Sequence, residues 1–519
     1  MKIKIAILVL FLILEIKEDL SAQTKSSTMW APYIEWSIEN KTYSGNPFDI
    51  IAKVRIKHQK SGKEHTTEMF YSGNDIWKFR FTGTEIGKWY FITESNDLDL
   101  NGKTGSIKIK KNNNSDIKGF LTHSNNQYSI WTGNKPVLSA YRYMVYMNGI
   151  YFSSFDSKLG SMTFSDSPLL KFHDSIKINS YLNDAKTNSF EIIFLHPGYP
   201  HVWTDGSTIS NGENPRFKTF EILEKAIIQA HQRGMRIHLW MWGDQARKAT
   251  PIPLEDGING TIDKRLQRYI AARLGPLPGW SMGYGFDLHE WTNQENLNEW
   301  ASYLHSHFGW EHLLSARGFV LKEGNNINSY DGFGRNVPLH TTTHGPKGYL
   351  EVLEDMNSDT RLPHLYEERH SYLRGGFKLD MDGTRRLIWW EMMAGGMGGW
   401  FGFYPSKSKA YQGGYPYPKP AQFRTAKQFW DKFYLLSMKP EFIDGNCVLS
   451  SSNDQQMILY AEDTDEVKLD LSTFGGNLNG VAIDTKKEYQ EIVINKLERK
   501  DNSWKSPYKS DWVIVLGYN

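Results

Sequence analysis

From about residue 118 to residue 440, apolar runs of strand length alternate with amphipathic runs of helix length. Consecutive parallel strands need a long crossover, and a helix supplies it, so this alternation admits few folds. Phe190–Leu195 reads as a strand and Phe220–Arg233 as a helix with Phe220, Leu223, Ile227 and Ala230 on its apolar side. Met235–Trp242 and Trp280–Leu288 read as further strands, the second followed by a helix over Glu295–Phe308. His312–Ala316, Val337–His340 and Leu362–Tyr366 are short strands, and a helix runs through Thr384–Arg386. The glycines of Ala394–Gly402 suit close packing at one more strand. With Pro136–Leu138 as the first strand there are about eight units, which predicts a (β/α)8 TIM barrel.

A chain of 519 residues exceeds a single core, and both flanks of the alternating region read differently from it. Ile34–Ile38, Ile50–Ile56, Trp77–Phe81, Gly87–Ile92 and Gly105–Ile109 alternate with period two between turn residues such as Ser72–Asp75. That pattern predicts an N-terminal β-sandwich over 23–112, with the polar run Lys110–Asn114 as its linker. The barrel is assigned to 118–440 and a small C-terminal β-sandwich to 441–519, from Met457–Ala461, Val467–Leu471 and Trp512–Leu516. At the start, Lys2 and Lys4 precede the apolar run Ile5–Leu14, too short to span a bilayer. Ser21-Ala22 follows, so residues 1–22 read as a signal peptide and the chain as secreted or periplasmic. Cys447, the sole cysteine, provides neither an intrachain disulfide nor a lipid acceptor near the cleavage point, and reads as a buried small hydrophobe.

The 60 Lys and Arg nearly balance the 58 Asp and Glu, which excludes the basic footprint of a nucleic-acid binder. No run after the leader is long and apolar enough to cross a membrane. The 18 Trp fall partly in Gly-, Asn- and Asp-rich loops, where an indole is a poor core residue and a good platform for a sugar ring.

Functional side chains of a (β/α)8 barrel stand at the C-terminal ends of its strands. Tyr199 follows the second predicted strand, Trp240, Trp242 and Asp244 the third, and Arg317 the fifth. The fourth runs into Gly285-Phe286-Asp287-Leu288-His289-Glu290-Trp291, the seventh into Pro363-His364-Leu365-Tyr366-Glu367-Glu368-Arg369. Two carboxylates delivered in this way are what glycosidic bond cleavage needs, one protonated as acid and one ionised near the anomeric carbon. Their carboxyl groups lie about 5–5.5 Å apart in retaining enzymes and roughly 6.5–9.5 Å apart in inverting ones. Glu290 is the acid/base candidate, with Phe286 and Trp291 placed to raise its pKa by desolvation. Either Glu367 or Glu368 is the nucleophile, because strand alternation turns only one inward. Arg369 is placed to keep that carboxylate ionised. Asp287 is a structural acceptor or a substrate-hydroxyl ligand, and Asp244 a sugar contact. Arg317 pairs with a catalytic acid or with a neighbouring strand's acid. Of Trp240 and Trp242, one is expected inside the barrel and the other under a helix.

Other chemistries fit less well. His289-Glu290 lacks the second His of a zinc helix, and His364 and His370 keep no zinc-helix spacing, so no metal site is expected. Gly395–Gly402 is not followed by the Lys-Ser/Thr of a phosphate loop, and no G-x-S-x-G elbow occurs.

Asn46-Pro47-Phe48, Phe70–Gly73, Trp77–Phe81 and Gly87-Lys88-Trp89 resemble the small β-sandwich that precedes the barrel in many secreted bacterial glycoside hydrolases. The centre resembles (β/α)8 glycosidases of the large retaining clan, clan A. Asn214–Phe217 with Gly234–Ile237, Asp287–Glu290, Glu368-Arg369, Arg385 through Trp389 and Ala394–Gly396 carry that likeness. The C-terminus, ending Ser506-Pro507 and Asp511-Trp512-Val513, is similar to a collagen-binding-like β-domain. The resemblance covers nearly all of the mature chain. It implies an acid/base Glu at strand four, a nucleophile at strand seven, a retaining mechanism and no cofactor, and it favours Glu368 by its spacing from Pro363. Clan members commonly place Asn before the acid/base to hold the sugar 2-hydroxyl. His289 stands there in this chain and either takes over that contact or displaces the role from Glu290. The expected partner is a β-linked polysaccharide or oligosaccharide, for which algal and plant cell-wall glycans suit an exported, Trp-rich chain. The competing readings are a non-catalytic carbohydrate-binding or adhesion protein on a degenerate barrel, and a polysaccharide lyase.

Overall fold

The computed structural model describes residues 24–124, 214–243 and 249–285, and 288–317, 348–358, 381–396 and most of 420–518. In the remaining stretches it describes isolated strands and turns. The expected leader, Phe286, Asp287, Asp244 and the whole Pro363–Arg369 cluster lie outside the described residues.

Eight strands open the chain. They are β1 (Lys25–Thr28), β2 (Ile34–Glu39), β3 (Ala52–His58), β4 (Glu64–Glu68), β5 (Phe70–Tyr71), β6 (Ile76–Phe81), β7 (Gly87–Ser95) and β8 (Thr104–Lys110). They form a five-stranded sheet, β1-β8-β7-β3-β4, and a three-stranded one, β2-β6-β5. Strict alternation along β3 buries Ala52, Val54, Ile56 and His58 and exposes Lys53, Arg55 and Lys57. Both sheets contribute to one core, with Trp77, Phe79 and Phe81 from one and Val54, Trp89, Phe91 and Ile107 from the other.

A three-stranded antiparallel sheet follows, β9 (Leu121–Ser124), β10 (Gln127–Thr132) and β11 (Val137–Ala140). The strand expected to open the barrel at Pro136–Leu138 is therefore misassigned. It is β11, paired antiparallel with β10, and the parallel sheet begins at β12 (Val145–Tyr146). A small hairpin, β13 (Ser154–Asp156) and β14 (Ser161–Thr163), comes next. Then come β15 (Ile192–Leu195), α1 (Phe217–Gln232), β16 (Arg236–Trp240), α2 (Thr261–Leu274), β17 (Trp280–Gly283), α3 (Gln294–His307) and β18 (Leu314–Arg317). A second hairpin, β19 (Val320–Lys322) with β20 (Asn326–Asn328), leads to β21 (Leu339–Thr341) and α4 (Tyr349–Ser358). After α5 (Met381–Met393), β22 (Trp400–Phe401) and α6 (Pro420–Phe433) complete the region.

These strands make one seven-stranded sheet in the order β21-β18-β17-β16-β15-β12-β22, and every pairing in it is parallel. Neighbours in sequence are neighbours in space, as the strand–helix alternation requires. The order ends at β21 and β22, the two strands that flank the expected seventh strand in sequence. On β16 the helix side carries Ile237 and Leu239, which join the core formed with Leu223, Ile227 and Ala230 of α1. The opposite side carries Arg236, His238 and Trp240, also buried.

The C-terminal strands are β23 (Lys439–Ile443), β24 (Asn446–Ser450), β25 (Met457–Asp470), β26 (Gly480–Asp484), β27 (Ile492–Ile494) and β28 (Asp501–Leu516). They form one six-stranded antiparallel sheet, β23-β24-β25-β28-β26-β27, where two separate sheets were expected. Register shifts between Ala461 and Glu466 interrupt the long β25–β28 hairpin. Beyond them, Val467 and Leu469 share a core with Val448, Ala461 and Trp512. The other sheet face, with Cys447, Tyr460, Val513 and Val515, joins the core of the parallel-sheet region.

Buried ion pairs join these parts. Arg80 of β6 donates to Glu224 of α1 at 2.8 and 3.2 Å, and Arg273 of α2 donates to the same carboxylate. Arg386 of α5 donates to both oxygens of Asp511 on β28 at 2.8 and 3.0 Å, and Arg385 donates to it as well. Among the described residues no helix is long and apolar enough to cross a membrane.

Candidate functional site

All parallel strands run the same way, so the segments after β15, β16, β17 and β18 emerge at one end of the sheet. Tyr199 opens a short 3-10 turn, Tyr199–Val202, after β15. Trp242 lies two residues beyond β16, and both rings are fully buried. The Trp242 indole N–H donates to Asp263 Oδ1 at 2.9 Å, and its ring lies 5.2 Å from Tyr284 and 5.8 Å from Trp300 of α3. Trp242 is thus the indole that packs beneath the helices. Trp240 lies on the other side of the sheet. A Cβ placed on Gly283, its partner on β17, would meet the Trp240 indole nitrogen at 2.1 Å and Ser315 Oγ at 2.8 Å. Glycine at 283 therefore makes room for an indole laid across the sheet. Deeper on that side, His238 Nδ1 and Ser281 Oγ are 2.9 Å apart, and Arg236 donates to the Gly119 carbonyl at 3.0 Å.

The fourth strand is shorter than its apolar sequence suggests. It ends at Gly283, not Leu288, and Glu290 closes a separate one-turn 3-10 helix, Leu288–Glu290. Three residues per turn place Leu288 and Trp291 on one side of that turn. Both are buried, and Trp291 stacks on Tyr284 at 5.1 Å. Glu290, off that side, is exposed. Trp291 does not provide the apolar cover expected of it for this carboxylate, because its ring turns to Tyr284 while Glu290 faces solvent. His289 belongs to the same turn, and Arg317 ends β18 with its backbone in register with Thr341.

Tyr199, Trp240, Trp242 and Trp291 are thus all buried, and none offers an open ring face to a ligand in this structure. Glu290, by contrast, is exposed.

The structure adds a residue that the sequence reading passed over. Asp263, in the first turn of α2, is fully buried and gathers donors from several segments. It accepts from Trp242, from the Asn259 backbone N–H at 3.0 Å, from the Gln267 amide at 3.0 Å and from the Tyr199 hydroxyl at 3.5 Å. Burial pushes its carboxyl up to about 6, against the pull of these donors. One carboxylate thereby ties the segments after β15 and β16 to the start of α2. Its one sequence signal is an acid in the first turn of a helix behind Gly257-Ile258-Asn259-Gly260, which by itself reads as a capping device. Among the described residues no group of three or more His, Cys, Asp and Glu is arranged to hold a metal ion.

The family model for a domain of unknown function, DUF5060, matches residues 27–96, within the first eight strands. No curated protein matches the chain. Among solved structures, a candidate glycoside hydrolase of Bacteroides vulgatus ATCC 8482 is similar over 96% of this chain and 100% of its own, at a TM-score of 0.68 and 14% identity. A family 5 glycoside hydrolase of the same organism is similar over 78% of this chain and 94% of its own, at a TM-score of 0.58 and 13% identity. A further structure described as a glycoside hydrolase covers 78% of this chain and 97% of its own, at a TM-score of 0.55 and 13% identity. At such identities the likeness is one of fold. The mixed α/β fold of this chain is similar to that of these structures.

Proposed function

We propose that the chain is an exported glycoside hydrolase that cleaves a β-linked polysaccharide or oligosaccharide by a two-carboxylate retaining mechanism. The observation that carries this reading is the parallel strand order, which brings the candidate-bearing segments after strands two to five to one rim of a fold shared with glycoside hydrolases. In this reading the strand order closes into a (β/α)8 barrel through the Leu362–Tyr366 strand, between β21 and β22. Glu290 is the acid/base, and Glu368, or its neighbour Glu367, is the nucleophile. Attack on the anomeric carbon forms a glycosyl-enzyme ester while Glu290 protonates the leaving oxygen; Glu290 then deprotonates the water that hydrolyses the ester. His289, Asp287, Asp244, Arg317 and Arg369 contact the sugar or hold the carboxylates. The leader is residues 1–22, the catalytic unit is 118–440, and β-rich units at 23–112 and 441–519 flank it. Export then takes the enzyme to glycans of algal or plant cell walls.

The test is reducing-sugar release by the purified chain over a panel of algal, plant and host glycans. Glu290→Gln and Glu368→Gln should each lower turnover by about 10³-fold or more. Azide should restore turnover to Glu368→Ala by taking the nucleophile's place. Turnover that survives both substitutions refutes the assignment. The second reading is a carbohydrate-binding protein without turnover. The solvent-facing Glu290 favours it, because an acid catalyst works best desolvated. Glycan retention with no release of reducing ends by the wild type would establish it.

A further inference from the structure

The outer face of the N-terminal five-stranded sheet is strongly basic. β3 presents Lys53, Arg55 and Lys57, β7 presents Lys88, and β8 presents Lys108 and Lys110, all exposed. Acids answer only part of this charge: Arg55 pairs with Glu94, and Lys57 with Glu64 at 2.6 Å. Among the described residues no carboxylate lies within ion-pair distance of Lys53, Lys88, Lys108 or Lys110. At the centre of the face are two residues that a solvent-facing surface does not ask for, Tyr90 at 41% exposure and Ile92 at 40%. Lys88 Nζ stands 4.8 Å from the Tyr90 ring centroid.

Two ordinary explanations of surface lysines do not account for this pattern. Lysines protect sheet edges from pairing with other chains, but the edges here are β1 and β4, and these lysines lie on the interior strands β3, β7 and β8. Stability does not select them either, because Lys88 lies directly opposite Lys108, and like charges across a strand pair are unfavourable. Side chains on one face repeat about every 7 Å along a strand and about every 5 Å between strands. The result is a lattice of cations around one aromatic ring.

We propose that this face is an ancillary binding surface for an anionic polysaccharide, one bearing sulfate or carboxylate groups. The lysines meet the anionic groups, and Tyr90 takes the apolar face of a sugar ring. The choice of a glycan over other polyanions rests on the glycoside hydrolase reading. A net charge of +2 and a sheet face with no helix or ribbon to enter a groove argue against duplex nucleic acid.

The experiment is native electrophoresis of the full chain in gels containing a sulfated galactan, a polyuronate, a neutral xylan or duplex DNA. The expected result is retardation by one or both acidic glycans, weakening with added salt as screened charges must. Lys88→Glu with Lys108→Glu should weaken retention by about tenfold or more, because two attractive contacts become repulsive. This double variant replaces one like-charged pair by another, so its thermal unfolding should match wild type. Tyr90→Ala should weaken retention while leaving the salt dependence intact. Retention unchanged by the charge reversal, retention by xylan alone, equal retention by DNA, or no retention would each overturn the proposal. Reducing-sugar release from the same samples separates the two readings. Retention without turnover leaves this surface standing and removes the hydrolase, and turnover without retention does the reverse.

Discussion

The buried carboxylate of Glu224 offers a sharp test of what joins the N-terminal sheets to the parallel-sheet region. It accepts from Arg80 at 2.8 and 3.2 Å and from Arg273, in a site where all three side chains are at most 10% exposed. The guanidiniums keep other contacts: Arg80 donates to Glu35 at 2.8 Å and to the Arg273 carbonyl at 2.8 Å, and Arg273 donates to the Tyr269 hydroxyl at 2.6 Å. Replacing Glu224 by Gln removes the one buried negative charge between two buried positive ones. Breaking such a pair costs about 3–5 kcal/mol, and the remaining contacts put the expected loss at about 3 kcal/mol. That is a large share of a typical stability of about 5–15 kcal/mol. Burial pushes the Glu224 carboxyl up, but the two guanidiniums outweigh it and hold it below its ordinary value. A depressed carboxylate stabilises the fold fully above its unfolded pKa and loses that contribution as pH falls through the folded one. The difference between wild type and Glu224→Gln should therefore be full at pH 7 and shrink below about pH 4. Urea unfolding followed by tryptophan fluorescence at both pH values measures it. A variant within about 1 kcal/mol of wild type at pH 7 would show that the pairing only offsets its own desolvation and does not secure the interface.

Asp511 sits below its usual range, at about 2, because the guanidiniums of Arg386 and Arg385 outweigh its burial. It should contribute roughly 2 kcal/mol above about pH 4, lost as pH falls toward 2; a pH series comparing wild type with Asp511→Asn reads it directly. Asp263 has the opposite sign. Its folded pKa near 6 favours the protonated fold, so the wild type should lose stability as pH rises from about 4 to 6, and Asp263→Ala should abolish that slope. Gly283→Val should destabilise by about 1–3 kcal/mol or more, since a Cβ there falls 2.1 Å from the Trp240 indole; a Trp240→Ala background should remove most of that overlap in thermal melts. Burial pushes the Cys447 thiol well up, so it should react with a thiol reagent only after unfolding.

Local periodicity was readable because it is a property of neighbouring residues. The strand expected over Ile50–Ile56 forms as Ala52–His58, and the helix expected over Phe220–Arg233 forms as Phe217–Gln232. Turn chemistry was not as legible. Trp280–Leu288 reads as one apolar run, yet Tyr284 and Leu288 serve the helix-side core beyond a strand that stops at Gly283. Pro136–Leu138 has strand composition, but composition does not say whether its partner runs parallel or antiparallel. Of the candidate site, the sequence picked out Tyr199, Trp242 and Glu290 as strand-end residues, and the fold separates them into two buried rings and one exposed acid. Asp263 escaped notice because its meaning lies in donors delivered by other segments.

The amino-acid order by itself marked most of the strand and helix stretches, and with them the strand–helix alternation between two β-rich flanks, since periods of 2 and 3.6 residues are local quantities. Only the tertiary structure decided what each polar side chain faces. Arg80 alternates like any solvent-facing residue of its strand, yet it is buried against a carboxylate 144 positions away, while Lys88 of the same unit is left open to solvent. That difference comes from which sheet face another part of the chain covers, and no local pattern records it.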